Sequence, residues 1–373
     1  MIKFTRATFR IIEMPLVTPF ESASDRMDNQ QILLLELTDA DGRCVFSECV
    51  AKQRPNYTPE TVDTALIVLK KHILPLVMGQ SFAHPSDLVA LIQRHIRGHW
   101  MAMASIDMAA WALHAEMQGL SLSQAMGGVN TDIACGIALG IQPSSEALVD
   151  VVQQEFQAGY KKIKCKIKPG KDLDYMAKVR EICGPEVPLM VDANNAYTLD
   201  DLSILKAMDE LNLMMMEQPL AWDDIVMHAK LQPKLATPVC LDESIFHADH
   251  AQVAIEIGAT KIINIKPGRV GGFTEAIKIH NLCAKHQVPV WCGGMLETGI
   301  GRAYNVALAS MENFTIPGDI SPSYRYWHKD IVFPEWSMNS DGRMQVPTQP
   351  GLGVEVDIDR IESLCVHKEV IQT

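Results

Sequence analysis

The sequence predicts an α/β protein, a modified (β/α)8 TIM barrel that carries an α+β capping domain, and three observations predict it. Eight short apolar segments alternate with helical stretches from residue 133 onward, as in a parallel sheet covered by helices. Five consecutive segments end in or beside an ionisable residue, at intervals of 26, 25, 25 and 24 residues. The first third breaks this rhythm, running strands first and then helices.

Residues 2–14 and 31–37 are rich in β-branched and apolar side chains, and Asp41-Gly42 marks a turn before a third strand over 44–50. These form an antiparallel meander. Apolar residues at helical spacing follow over 61–76, 85–96 and 101–116, and Gly119, Gly127 and Gly128 punctuate the passage to the repeat. The eight barrel strands are expected at 133–139, 162–167, 189–193, 213–217, 239–242, 262–266, 288–292 and 314–316. The tail carries Pro347, Pro350 and Gly351 and does not continue the pattern. The division is therefore a capping domain over 1–128, a barrel over 129–325, and a segment over 326–373 that returns to the cap.

Composition narrows the function. With 45 acidic against 33 basic residues and a net charge of -12, the chain lacks the footprint of a nucleic-acid binder or of a protein held on anionic membranes. Its longest apolar runs fall far short of the roughly 18 residues of a membrane span, and the first residues lack the apolar core of a signal peptide. Nine scattered cysteines with no CxxC pair suit a reducing compartment. A cytoplasmic enzyme with a small-molecule carboxylate substrate is expected, and a homo-oligomer is compatible with the sequence.

The chemistry lies in the strand ends. Lys166, Asp192, Glu217, Asp242 and Lys266 each close one βα unit, which brings all five to the C-terminal mouth of the barrel. Charges there are costly to bury unless they pair or hold an ion. Any one of the five could be a salt bridge or a solvated rim, but five in register are hard to read that way. Three hard oxygen donors suit Mg2+, with Mn2+ as a substitute, rather than zinc. Such an ion would stabilise an enediolate formed by removing a proton next to a carboxylate. The lysines would move the proton, with neighbouring cations lowering their pKa; Lys164, on the same strand face as Lys166, is one such neighbour. A binding protein derived from such a fold would be expected to lose a ligand or a lysine, and none is lost.

The segments Lys164-Cys165-Lys166, Val191-Asp192-Ala193-Asn194-Asn195, Glu217-Gln218-Pro219, Leu241-Asp242-Glu243-Ser244, Lys266-Pro267-Gly268-Arg269 and Gly293-Gly294-Met295-Leu296-Glu297 together resemble the enolase superfamily. Within it they resemble the muconate-lactonizing subgroup, and there the o-succinylbenzoate synthase / N-succinylamino acid racemase family. The resemblance covers nearly the whole chain. It implies Asp192, Glu217 and Asp242 as metal ligands and Lys166 and Lys266 as catalytic residues on opposite sides of the substrate α-carbon. It also implies Lys164, Asn194, Gly293, Gly294 and Glu297 beside the substrate, with Glu243 orienting Lys266 and Arg269 tuning it by charge. The implied reaction is the dehydration of 2-succinyl-6-hydroxy-2,4-cyclohexadiene-1-carboxylate to 2-succinylbenzoate, a hydro-lyase step of menaquinone biosynthesis. Racemisation of N-succinylamino acids is the alternative or a second activity, followed by another cycloisomerase or epimerase of the subgroup. Asp319-Ile320-Ser321 lacks the Asp-x-Asp with which dipeptide epimerases hold an ammonium group. The loop over 21–28, expected to close over the substrate side chain, lacks an expected glycine.

Overall fold

The computed structural model describes residues 1–372. Its N-terminal part is built on a four-stranded antiparallel sheet in the order Cys365–Gln372, Phe4–Glu21, Arg26–Asp39, Cys44–Cys49. The C-terminal strand thus adds to the outer edge of the first, Ala7 facing Ile371. Helices Val62–Val68, Pro85–His95 and Trp100–Gln118 follow. The last of these is apolar around nearly its whole circumference, and 14 of its 19 residues are buried, as a helix enclosed by both the cap sheet and the barrel must be.

Seven parallel strands make the barrel: Gly136–Leu139, Lys162–Lys166, Leu189–Asp192, Met216–Glu217, Val239–Leu241, Ile262–Ile265 and Val290–Cys292, adjacent in sequence order. The expected eighth strand is not a ladder. Single bridges from Val290 to Phe314 and from Cys135 to Gly318 close the gap, and Asp319 N donates to Cys292 O at 2.9 Å. Gly318 allows this contact, since a Cβ there would lie 2.7 Å from Cys292 O. The barrel floor is filled by Met190, Met215, Cys240, Ile262 and Trp291. Among the described residues no helix is long and apolar enough to cross a membrane.

A second difference concerns residues 21–28. The first two strands continue as one long hairpin to Glu21 and Arg26, which face each other across a turn closed by Ser22 N donating to Asp25 O at 2.8 Å. The hairpin tip rests on the barrel. Ile141 N donates to Glu21 O at 2.8 Å, and the Glu21 carboxylate is held by Lys168 at 3.1 Å.

Two buried carboxylates dock the cap against N-termini of barrel helices, where backbone N–H groups lack intrahelical partners. Asp107 accepts from Thr274 N at 2.8 Å and from Thr274 Oγ1 at 2.6 Å, at the start of Phe273–Lys285. Glu48 accepts from Thr298 N at 3.1 Å, Thr298 Oγ1 at 2.6 Å and Gly301 N at 3.2 Å, at the start of Gly299–Ala309. Burial pushes the Glu48 carboxyl up to about 8, against its donors, with Glu297 adding to the rise. An unfolded glutamate titrates near 4.3, so between about pH 4.5 and 8 the folded state holds a proton that the unfolded state releases. Stability should therefore fall as pH rises through that window and level off above it. Between pH 5 and 8.5, urea unfolding should show the wild type losing on the order of 3 kcal/mol more than Glu48→Gln. Parallel pH profiles for the two proteins would contradict this.

Candidate active site

The parallel register brings the strand-end side chains to one height. Lys166 is level with Asp192, and Asp192 with Glu217; Asp242 and Lys266 directly follow the next two strands. Immediately after these strands the backbone turns sharply, with positive φ at Asn194 (40°), Asn195 (68°) and Gln218 (39°). Non-glycine residues take such conformations only where the surroundings enforce them, and functional sites are where they concentrate.

The charges interlock. Lys166 Nζ donates to Asp192 Oδ2 at 2.6 Å and to Asn194 Oδ1 at 2.5 Å. Lys266 Nζ donates to Asp242 Oδ2 at 2.7 Å and to Tyr57 Oη at 2.9 Å. Lys164 Nζ lies 3.0 Å from Glu217, 3.1 Å from Asp192 and 2.6 Å from Asp319. Arg269 pairs with Asp242 and donates to Asn264 O at 2.6 Å and Ile245 O at 2.9 Å. Arg269 and Lys266 thus share the Asp242 carboxylate. Glu243 makes no hydrogen bond to Lys266 but acts on it by charge; its Oε1 accepts from Asn194 Nδ2 at 2.9 Å and Asn195 Nδ2 at 3.3 Å, so it also supports the Lys166 side through Asn194. The left-handed turn at the two asparagines aims their amides at it.

Gly293 is a close-approach glycine, since a Cβ there would lie 2.6 Å from Lys266 Cε and 2.4 Å from Asn264 Oδ1. Gly294 and Lys164 line the cavity above the lysines. Glu297 is turned back on its own loop, accepting from Met295 N at 2.9 Å.

The two central lysines differ electrostatically. Burial, with Lys164 and Lys266 nearby, lowers Lys166 despite Asp192. Burial also acts to lower Lys266, but Tyr57 and the carboxylates Glu217 and Glu243 outweigh it and hold the ammonium above the ordinary lysine value. The expectation that neighbouring cations lower both lysines thus holds for Lys166 alone. Burial would raise Asp192, yet Lys166 and Lys164 keep it well below the usual carboxylate range. Burial and the like charge of Asp192 push Glu217 up.

Three participants escaped the sequence reading. Tyr57 enters from the segment after the third cap strand and donates to Asp242 at 3.1 Å. Lys52, from the same segment, lines the cavity. Asp319 bridges Lys164 to Lys162, which is 3.0 Å from Asp319 and stacks over the Trp291 ring at 3.3 Å. Only the Lys-Ile-Lys-Cys-Lys alternation of residues 162–166 hinted at this third inward lysine.

Among the described residues, no three His, Cys, Asp or Glu side chains converge tightly enough to chelate an ion as they stand, because ammonium groups lie between the carboxylates. The donor chemistry nonetheless fits a hard dication. Asp192, Glu217 and Asp242 are fully buried oxygen donors on successive strands, and Asp192 and Glu217 raise each other's cost of ionisation, which a dication relieves.

Residues 6–127 match the family described as mandelate racemase / muconate lactonizing enzyme, N-terminal domain, and residues 147–360 match the enolase C-terminal domain-like family. The o-succinylbenzoate synthase of Geobacillus stearothermophilus is 46% identical over 353 residues, covering 95% of this chain and 93% of that protein. The N-succinylamino acid racemase of Thermus thermophilus is 43% identical over 361 residues, 97% of each chain. A crystal structure of an enolase-superfamily protein from Listeria innocua superposes with a TM-score of 0.96 at 37% identity over 100% of both chains.

Proposed function

The chain belongs to the o-succinylbenzoate synthase / N-succinylamino acid racemase family of the enolase superfamily, and from that premise we propose that it is a Mg2+-dependent o-succinylbenzoate synthase. It dehydrates 2-succinyl-6-hydroxy-2,4-cyclohexadiene-1-carboxylate to 2-succinylbenzoate, a step of menaquinone biosynthesis, in the cytoplasm. The observation that carries this reading is the opposition of two lysines across a carboxylate cluster, Lys166 on Asp192 and Asn194, Lys266 on Asp242 and Tyr57.

In this mechanism Lys166 Nζ, neutral, takes the proton from the substrate α-carbon. It then returns that proton to the departing hydroxyl on the same face, so water leaves and the ring becomes aromatic. Lys266 stays protonated on the opposite face and offsets the charge that develops on the carboxylate; Lys164 adds a second fixed cation. Asn194, held by Glu243, sets the direction of the Lys166 amine, and Gly293 leaves room for Lys266. Asp192, Glu217 and Asp242 would hold Mg2+, or Mn2+ in its place, which supplies further stabilisation of negative charge on the substrate carboxylate.

Racemisation of N-succinylamino acids is the second reading, favoured by the same two opposed amines, because each could serve one face of the α-carbon. Following aromatisation by absorbance, beside polarimetry of N-succinylamino acids, separates them. Chelator-sensitive aromatisation is expected. Racemisation without aromatisation would move the protein to the isomerases, and silence in both assays would overturn the choice of substrate.

A further inference from the structure

The cavity above the paired lysines has one wall from the cap, and that wall presents a cation without a carboxylate. Lys52 lines the inner cavity together with Tyr57, Lys166 and Lys266, and also borders the outer groove with Arg26 and Arg54. Its backbone is fixed by Val62 N, which donates to Lys52 O at 2.9 Å. Its Nζ lies 5.5 Å from the centre of the Tyr57 ring. Every other lysine of the inner site has an acid in contact: Lys162 and Lys164 have Asp319, Lys166 has Asp192, and Lys266 has Asp242. Asp25 and Glu243 act on Lys52 only at longer range, and burial together with Lys166 and Lys266 pushes its ammonium down to about 8. Of the acids at the hairpin tip, Glu21 is held by Lys168 and Arg26, Asp25 accepts from Arg26 N at 2.9 Å, Asp28 lies 3.7 Å from Arg26, and none is in ion-pair contact with Lys52. A half-buried cation beside two like charges is unfavourable by itself and is stabilised when an anion arrives.

We infer that Lys52 binds the distal carboxylate of a succinyl substrate and so sets a preference for diacids. The inference rests on the proposed function, in which both candidate substrates carry two carboxylates. One carboxylate lies with the reacting carbon between Lys166 and Lys266, beside Lys164. The other, at the end of the succinyl arm, extends toward the cap, where Lys52 is the cation left to receive it. The arm gains a contact across the boundary between cap and barrel.

The test uses the Mg2+-loaded protein and two ligands, 2-succinylbenzoate and 2-butyrylbenzoate, whose arm ends in methyl. Titration calorimetry should show Lys52→Met weakening 2-succinylbenzoate about 10- to 100-fold while leaving 2-butyrylbenzoate unchanged. KM for the cyclohexadiene substrate should rise by a similar factor with kcat within about threefold, since the contact is remote from the reacting carbon. Lys52→Arg should restore most of the affinity. If Lys52→Met weakens both ligands equally, or neither, the role of Lys52 is overturned while the function stands. A wild type that neither binds nor converts a succinyl carboxylate overturns the proposed function, and this inference with it.

Discussion

Lys166→Ala should reduce dehydration by about three to four orders of magnitude in kcat, within the roughly 10²- to 10⁴-fold associated with a positioned general acid–base group. The loss should sit at the upper end, because one amine both removes the α-proton and delivers it to the hydroxyl. Lys166→Arg should be nearly as inactive. A guanidinium keeps its proton at any accessible pH and cannot act as the base. In the wild type, kcat/KM should climb with pH through a point below the ordinary lysine value, since burial, Lys164 and Lys266 favour the neutral amine. Lys266→Ala makes the contrasting case. Its charge offsets the intermediate but carries no proton in the dehydration, so its loss should cost less there, about 10²- to 10³-fold, and should abolish racemisation. Stopped-flow absorbance of the aromatic product measures the first, and α-proton exchange in D2O measures the second. Lys166→Ala retaining a tenth of wild-type activity would remove it from the role of base.

The strand-end cluster was readable because a parallel sheet imposes a period. Apolar strands make an ionisable residue at each C-terminal end conspicuous, and one βα unit per interval aligned Lys166, Asp192, Glu217, Asp242 and Lys266 without any tertiary information. Strand alternation added Lys164. Where the period fails, the reading failed too. Asp319 lies in the eighth position, where two isolated bridges replace a strand, so no regular spacing announced it as the partner of Lys162 and Lys164. Tyr57 and Lys52 lie between a strand and a helix in a segment with no periodicity, and only the docking of cap on barrel brings them to the site. The polar stretch from Ser22 to Asp25 is the turn its residues favour, and with Met27 it lines the cavity through Ser22 and Ser24, but the loop expected over 21–28 is shorter than that. Cross-strand pairing from Phe20 to Met27 and the seat on the barrel at Ile141 extend the hairpin. The bonds of Glu243 to the asparagines were not foreseen, because a side chain just past a strand end can lean either way: its charge reaches Lys266, while its hydrogen bonds go to Asn194 and Asn195. The left-handed backbone at Asn194 and Asn195 decides the direction.

Removing divalent cations should silence the enzyme, and Glu217→Gln is the substitution that tests why. Asp242 is unsuitable because it also anchors Lys266, Arg269 and Tyr57, so its loss would disturb an amine together with a ligand. Asp192 has the same defect through Lys166. Glu217 touches neither central lysine: Oε2 accepts from Lys164 at 3.0 Å and Oε1 from Asn264 at 2.9 Å. Gln keeps the shape and removes the charge, so a change in metal dependence can be read without loss of the base. Excess chelator should lower wild-type turnover by at least about 10³-fold, reversibly on adding Mg2+. Glu217→Gln should raise the Mg2+ concentration for half-maximal rate well over about tenfold, since loss of even an outer-shell partner costs about 10- to 100-fold in affinity. A thermal melt supplies a readout independent of turnover. Mg2+ bound only to the folded state stabilises it in proportion to the logarithm of its concentration over Kd, so the wild-type midpoint should climb with Mg2+ and that of Glu217→Gln should stay nearly level. Equal midpoint shifts, or turnover that survives the chelator, would mean that the three carboxylates serve the lysines alone.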